Sequence, residues 1–397
     1  MSVQLHASVL QFLIDHGYLE TVEAFKKEAK TILDSSEVSS EVSSEELAHH
    51  LSQLHIQRPN ELLDGDGEYF NSLANEYPDI HYANILAVAI EPQSRLLATS
   101  SVDKTVKLSN PLNKTLIPRT YRHHQAPVLS IDFHPRYPQL VLTTSMDGSS
   151  VIADSSFEPD FGQDLETSGV HQVFRDHQKY VVRGLFSQDG EYMATASYDR
   201  TVCVYKNTSE DLPTFTLVKQ LGPFVGNVET ICFAKDHLVV GVRGDNYLHY
   251  IQLPSLSIQR VNMNATGDDW VSFSPIHISV SADGQCLLCT TDHVSGRTIL
   301  FAIGESRQLQ NYYVNASDDQ FVTRRHVWHP SGLYFYASGG DDHSISVVEV
   351  KTGRVVERLQ GHKAMIRSLV LSPEIGLIST GYDHSVKIWS GQQTISR

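Results

Sequence analysis

The stretch 361–389, GHKAMIRSLVLSPEIGLISTGYDHSVKIW, sets short apolar-rich runs on either side of an Asp turn, with a Gly-His pair well upstream. Leu377-Ile378-Ser379 precedes the turn and Val386-Lys387-Ile388-Trp389 follows it, a pattern that predicts three short strands joined by tight turns. A unit this small cannot bury both of its faces, so it requires neighbours. From Tyr69 onward the same elements recur in six further units of uneven quality, each marked by its turn aspartate. Counted with the first unit's Asp383, the series is Asp103, Asp147, Asp199, Asp245, approximately Asp292, Asp342 and Asp383, at separations of 44, 52, 46, 47, 50 and 41 residues. At the N-terminus the period changes. Leu5, Val9, Phe12 and Leu13 share one helical face, Gly17 interrupts it, and Leu19, Val22 and Phe25 resume it, which predicts two helices around a Gly-Tyr corner.

The C-terminal unit resembles a WD repeat: Gly361-His362 opens it, Asp383 sits in the penultimate turn and Trp389 ends the last strand, with Ser390 in place of the usual final Asp. The spacing of the copies brackets the ~40–45-residue period of such repeats. Seven units of about four strands imply an all-β seven-bladed propeller over 68–397, closed by one terminus completing the other's blade. Residues 68–80 are the favoured closing segment, because the tail 392–397 is short and polar. The strong copies place Thr99, Thr143, Thr195, Ser338 and Ser379 four residues before the turn Asp, while His124, His177 and His362 open their units. The expected network is structural: the Asp accepts from a loop His, a strand hydroxyl holds the His, and the hydroxyl reaches an indole N–H. Only His362, Ser379, Asp383 and Trp389 supply all four members; His177, Thr195 and Asp199 supply three. Contiguous Asp-His-Ser runs at 342–344 and 383–385 cannot form a catalytic relay, which is assembled from separate elements.

The N-terminal hairpin resembles a lissencephaly-1 homology (LisH) motif at Phe12-Leu13, Gly17-Tyr18, Thr21, Phe25 and Glu28. That resemblance implies homodimerisation through Val9, Phe12, Leu13, Val22 and Phe25; the alternative is a hairpin docked on the large domain. The reading therefore divides the chain into a hairpin at 1–33, an acidic Ser-rich linker at 34–67 with a short helix over 44–55, and the propeller at 68–397.

Charge refines the partner class. The chain carries a net −15, and residues 1–67 hold twelve Asp/Glu against four Lys/Arg, so the propeller itself is only mildly acidic. An acidic chain repels a phosphate backbone, so nucleic acid is not expected as a partner. No apolar run approaches the ~18–20 residues that span a bilayer, and no membrane insertion is expected. A cytoplasmic or nuclear setting is expected. Cys203, Cys232, Cys286 and Cys289 read as reduced core thiols; on a strand, Cys286 and Cys289 point to opposite faces, so no metal site and no cofactor are expected.

Docking chemistry is expected on the rim, where the turns before third strands carry Tyr198, Arg200, Tyr382 and His384. The loops before first strands carry Tyr180, Arg183, Met365 and Arg367. Tyr, Arg and Met anchor interfaces, so this set reads either as ordinary rim or as a docking surface for an acidic or aromatic peptide. Trp270 and Trp328 are assigned to the core. The sum is a non-enzymatic dimeric adaptor. The alternatives that the resemblance leaves open are a substrate-recruiting ubiquitin-ligase subunit and a dynein or microtubule regulator of the lissencephaly-1 type. A propeller enzyme has no motif in its favour.

Overall fold

The computed structural model describes residues 68–91, 96–112, 118–157, 169–209, 211–319 and 321–391. The hairpin 1–33 with Val9, Phe12, Leu13, Val22 and Phe25, the linker 34–67 with its helix over 44–55, and the tail 392–397 lie outside the described residues.

Short apolar-rich segments separated by turns fold into seven antiparallel sheets of four strands each. The first strand of each sheet lies innermost: Ile85–Ile90, Val128–Phe133, Val181–Phe186, Val228–Ala234, Pro275–Val280, Arg325–Trp328 and Ile366–Ser372. These seven contact one another in succession around a ring, and the seventh meets the first. Blades one to six take their strands in chain order. Blade seven instead borrows its outer strand from Ser72–Tyr77, which pairs antiparallel with Val386–Ser390, Leu73 opposite Trp389 and Tyr77 opposite Val386. Buried Lys387 reaches Glu76 across that seam.

Each blade-to-blade interface holds its own apolar cluster. Val202, Val204 and Leu221 of blade three pack on Ile231, Leu238 and Val240 of blade four. The last interface works the same way: Ile85, Val88 and Leu97 of blade one meet Ile378, Val386 and Ile388 of blade seven. A four-stranded sheet buries both faces only by being sandwiched in this manner, so stability belongs to the ring rather than to any blade. Cys286 and Cys289 fall into different clusters, on the two faces of blade five.

A bulge follows the first residue of the inner strand in six blades, between Val181 and Arg183 in blade three and between Ile366 and Ser368 in blade seven, for example. Such a bulge sharpens the twist and re-aims the local side chains. It lies at the end of the strand where the rim loops enter.

Those loops are tied down by the turn aspartates. His362 Nδ1 lies 2.9 Å from Asp383 Oδ2, its Nε2 lies 2.7 Å from Ser379 Oγ, and Trp389 Nε1 donates to the same hydroxyl at 2.9 Å. The second Asp383 oxygen accepts from Ser385 N–H and O–H, and Lys363 N–H donates to Oδ2. One carboxylate thus staples a turn to the loop beside it. Gly361 leaves room for this arrangement, since a Cβ there would sit 3.1 Å from the Trp389 ring. Gly376 at φ 110° cannot be replaced either, because its Cβ would fall 2.0 Å from the Trp389 carbonyl oxygen.

The staple varies from blade to blade. His177 bridges Asp199 at 3.0 Å and Thr195 at 2.8 Å, and His124 bridges Ser149 and Thr143. Blade one has the same device in His81, 3.0 Å from Asp103 and 2.9 Å from Thr99, although the sequence reading left that histidine out. Blade four takes His249 from its own third strand, 2.8 Å from Asp245. In blade five Asp292 accepts the Ser274 N–H, and in blade six Ser317 bonds Asp341 while Asn315 bridges Ser346 and the Ala337 carbonyl.

Burial alone would push these carboxyls up. The hydrogen bonds from His81, His124 and His362, with those of the turn hydroxyls and amides, outweigh it and hold Asp103, Asp147 and Asp383 well below the ordinary carboxylate range. Ser379 is fully buried and hydrogen-bonded on all sides, so it has no access to a substrate.

Two outcomes follow from this packing. Trp389→Ala should lower stability by about 3–5 kcal/mol, the cost of a large core cavity; an unchanged melting temperature would show that the indole is not structural. The lowered carboxyls add stability that is complete above the ordinary Asp range of about 4 and is lost as pH falls through it. The melting temperature should therefore drop steeply below about pH 4, and less steeply in Asp383→Asn; equal slopes in both proteins would remove the staple from the account.

Candidate functional site

The rim rides on these staples, and the residue after the turn Asp belongs to it. Lys104, Arg200, His343 and His384 occupy it in left-handed backbone, at φ 67°, 70°, 55° and 60°. Arg200 is exposed, and its carbonyl accepts the Phe224 N–H from the next loop. His384 is half-buried, with Nε2 3.2 Å from Asn84 Oδ1 of blade one. Tyr382 N–H donates to the Met365 carbonyl at 2.9 Å, and both side chains are half-buried.

On blade three, Tyr180 is exposed and its ring lies 6.3 Å from that of Tyr198. Tyr198 O–H donates to Glu229 of blade four at 3.1 Å, and Arg243 Nε donates to the other Glu229 oxygen at 2.6 Å. Burial, and then Glu229, raise the Tyr198 hydroxyl, so it stays protonated as the donor. Arg243 and Arg367 act on it in the opposite sense, which brings blade seven electrostatically to blade three across the mouth of the ring.

Arg183 and Arg367 belong to that mouth rather than to the outer rim. The inner strands enclose a channel whose cavity, about 360 Å³, is lined by Arg183, Arg325, Asp132, His277 and Ser368 among others. Burial lowers the Arg183 and Arg325 guanidiniums; Asp132 opposes this at Arg183, while Arg367 and Arg183 add to it at Arg325. Asp132 accepts the Phe186 N–H at 2.8 Å, and burial pushes its carboxyl up to about 6. His277 and His326, with Nδ1 atoms 3.3 Å apart, are held neutral by burial and by the neighbouring arginines. Of the proposed rim set, the ring thus brings Arg183, Arg367 and Tyr198 together. Arg200, Tyr382 and His384 stand apart on their own turns.

Sequence reasoning passed over three participants. Arg325 opens a blade with no Gly-His signature, and its only sign is the Arg324-Arg325 pair before an apolar run. Glu229 occupies the bulge position in blade four that Arg367 occupies in blade seven. Trp270 is a correction: assigned to the core, it is 74% exposed, because it sits in the loop between blades four and five and not on a strand. Phe321 and Val294, on the next two loops of the same rim, are also exposed. Trp328 packs against its blade core as expected.

Among the described residues no group of three or more His, Cys, Asp and Glu is arranged to hold a metal ion. No helix among them is long and apolar enough to cross a membrane.

Comparison with known proteins agrees with the geometry. Four stretches, 78–109, 117–152, 169–206 and 353–390, match the WD domain, G-beta repeat; they correspond to blades one, two, three and seven. The chain is 26% identical over 323 residues to the transcriptional corepressor LEUNIG_HOMOLOG of Arabidopsis thaliana, covering 79% of this chain and 30% of that protein. It is 26% identical over 163 residues to the target of rapamycin complex subunit LST8 of Saccharomyces cerevisiae, covering 32% of this chain and 53% of the relative. To pre-mRNA-processing factor 19 of Oryza sativa subsp. japonica it is 23% identical over 295 residues, 74% of this chain and 42% of the relative. The chain therefore spans about half or less of these relatives' own lengths. Seven sandwiched sheets with stapled turns make a seven-bladed β-propeller, and four of its blades carry stretches that match the WD repeat.

Proposed function

We propose that the protein is a non-enzymatic adaptor that recruits protein partners on the rim and channel mouth of its propeller. The observation that carries this reading is the concentration of arginine and tyrosine at one mouth of an otherwise acidic chain, with exposed aromatics on the neighbouring loops. Such side chains supply most of the energy of protein interfaces. A docking segment with acidic or aromatic side chains complements them. The serine, histidine and aspartate groups that could suggest hydrolysis are occupied in the turn staples.

The N-terminal hairpin, read from its LisH-like sequence, pairs two such propellers through Val9, Phe12, Leu13, Val22 and Phe25. Two tethered mouths engage a bivalent partner with higher avidity than one. The relatives named above include a transcriptional corepressor, a target of rapamycin complex subunit and a pre-mRNA-processing factor, and a recruiting role is compatible with each. Recruitment of substrates for a ubiquitin ligase, or regulation of a microtubule motor, are narrower forms of the same role. Cytoplasm and nucleus both suit it.

Deleting residues 1–33 should convert a dimer into a folded monomer by sedimentation; unchanged mass would end the dimer claim. Arg183→Glu combined with Arg367→Glu should abolish capture of the partners that bind the parent chain, in a variant whose circular dichroism spectrum still shows the folded propeller. Full capture by the double variant would move the docking surface elsewhere, and Trp270→Ser with Phe321→Ser would then be the next test.

A further inference from the structure

At the strand ends opposite the stapled turns, the hairpin between the first and second strands of blade three has a neighbouring blade on each side. Between blades two and three the cleft is filled from within the chain. His134 follows Phe133, the last residue of its inner strand; its ring lies 4.8 Å from that of Phe186, with Nε2 3.3 Å from the Gly190 carbonyl oxygen. Glycine is required there, since a Cβ on Gly190 would sit 2.5 Å from the imidazole. Two residues further on, Arg136 caps the same turn: Nε donates to the Asp189 carbonyl and Nη2 to Glu191 at 2.7 Å.

The cleft between blades three and four has neither plug. Ser187 follows Phe186 as His134 follows Phe133, each giving its N–H to the start of the next strand, at Tyr192 and Leu140 respectively. A serine is too short to cross to the next blade. Its hydroxyl stays in its own turn, donating to Asp189 and accepting the Tyr192 N–H at 2.9 Å. Asp189, at the same offset, stands where Arg136 stands next door. A cavity of about 290 Å³ results, floored by Tyr192, Phe233, Leu253 and Pro254. Phe233 belongs to the apolar cluster between these blades, and Tyr192 and Leu253 pack at its edge, so the floor is core left partly uncovered. Two carboxylates line the cavity, Asp189 from blade three and Asp236 from blade four. Among the described residues the Asp236 carboxylate has no hydrogen-bond or ion-pair partner. Lys235 also lines the cavity, but its ammonium reaches Gln285 of blade five at 3.4 Å and pairs with neither carboxylate.

We infer that this cleft is a docking site for an arginine side chain on an extended segment of a partner protein, with the guanidinium between Asp189 and Asp236 and the methylene stem over Tyr192 and Leu253. A guanidinium offers donors along more than one edge and so can serve carboxylates from two blades, while its stem covers apolar surface. A wholly apolar side chain would leave both carboxylates unpaired, and an acidic one would be repelled. The chain itself supplies the precedent, because Arg136 plays this part against Glu191 one cleft away. The Tyr192 ring already draws a cation, Lys206 Nζ lying 5.9 Å from its centroid. A volume of about 290 Å³ has room for one long side chain. The site lies on the face opposite the rim, and it does not depend on the arginine and tyrosine groups of the channel mouth.

Ligand-observed saturation-transfer NMR on the parent chain tests the assignment, with the blocked tripeptide acetyl-Leu-Arg-Leu-amide as probe and its citrulline counterpart, equal in shape and uncharged, as control. Saturable binding of the arginine peptide is expected, about tenfold or more tighter than that of the control, the size of one charge-assisted hydrogen bond. Asp236→Asn should weaken it by a similar factor; Asp236 is exposed on a turn, so the change leaves the packing intact. Ser187→His supplies the missing plug and should abolish binding. No saturable binding, equal binding of the two peptides, or parent-like affinity in Asp236→Asn would overturn the assignment. If Ser187→His fails to fold, Asp236→Asn carries the comparison. Failure here with partner capture by the rim intact would refute the arginine cleft and leave the adaptor reading standing.

Discussion

Everything in this structure depends on closing the ring. A four-stranded antiparallel sheet with two apolar faces has no stable existence alone, and each blade here borrows both of its neighbours to bury itself. An open row would leave two apolar faces in water, one at each end. Pairing of Ser72–Tyr77 with Val386–Ser390 removes both at once, because it joins the first described strand to the last blade. Blade one can then pack on blade seven through Ile85, Val88, Ile378 and Ile388. The seam also carries a buried lysine, Lys387, against Glu76, a contact that an unpaired edge could not support.

Closure has a consequence for chemistry. It fixes seven inner strands around one axis, and whatever the starts of those strands carry is focused there. Within the first three residues of those strands, blades three, six and seven carry Arg183, Arg325 and Arg367, and blade four carries Glu229. The turn staples make this focus rigid. Each lowered carboxylate holds a loop histidine or amide on one side and its own turn on the other, so the mouth does not relax to separate its charges. Rim aromatics such as Tyr180 and Trp270 then project from a fixed frame, the condition under which few side chains can carry much binding energy.

How legible was this in the chain? The seven turn aspartates and the strand runs around them were readable because a tight turn needs its carboxylate wherever the loop beside it must be held. The loop partner was less legible, since it varies: a histidine in blades one, two, three and seven, His249 from the strand in blade four, and in blade six Ser317, which donates to Asp341 and not to the turn aspartate Asp342. His81 stands 18 residues before Thr99, the same separation as His177 and Thr195, so spacing could have found it. Arg183, Tyr198 and Arg367 were singled out by residue type and by place in the repeat. Their convergence with Arg325 was not legible, because residues 142 and 184 positions apart along the chain meet only once the ring closes. Trp270 was misassigned for a related reason: a large aromatic residue in an irregular loop has no periodicity to show which way it faces.

Closure brings three arginines from distant blades into one electrostatic group. The most direct measurement is a double-mutant cycle on thermal or denaturant stability with Arg183→Gln, Arg325→Gln and the pair together. Non-additivity is expected: relieving the repulsion once leaves less to relieve, so the double variant gains less stability, or loses more, than the two single changes summed. Strict additivity within error would mean that the two guanidiniums do not sense each other, and would contradict the convergence on which the channel's chemistry rests.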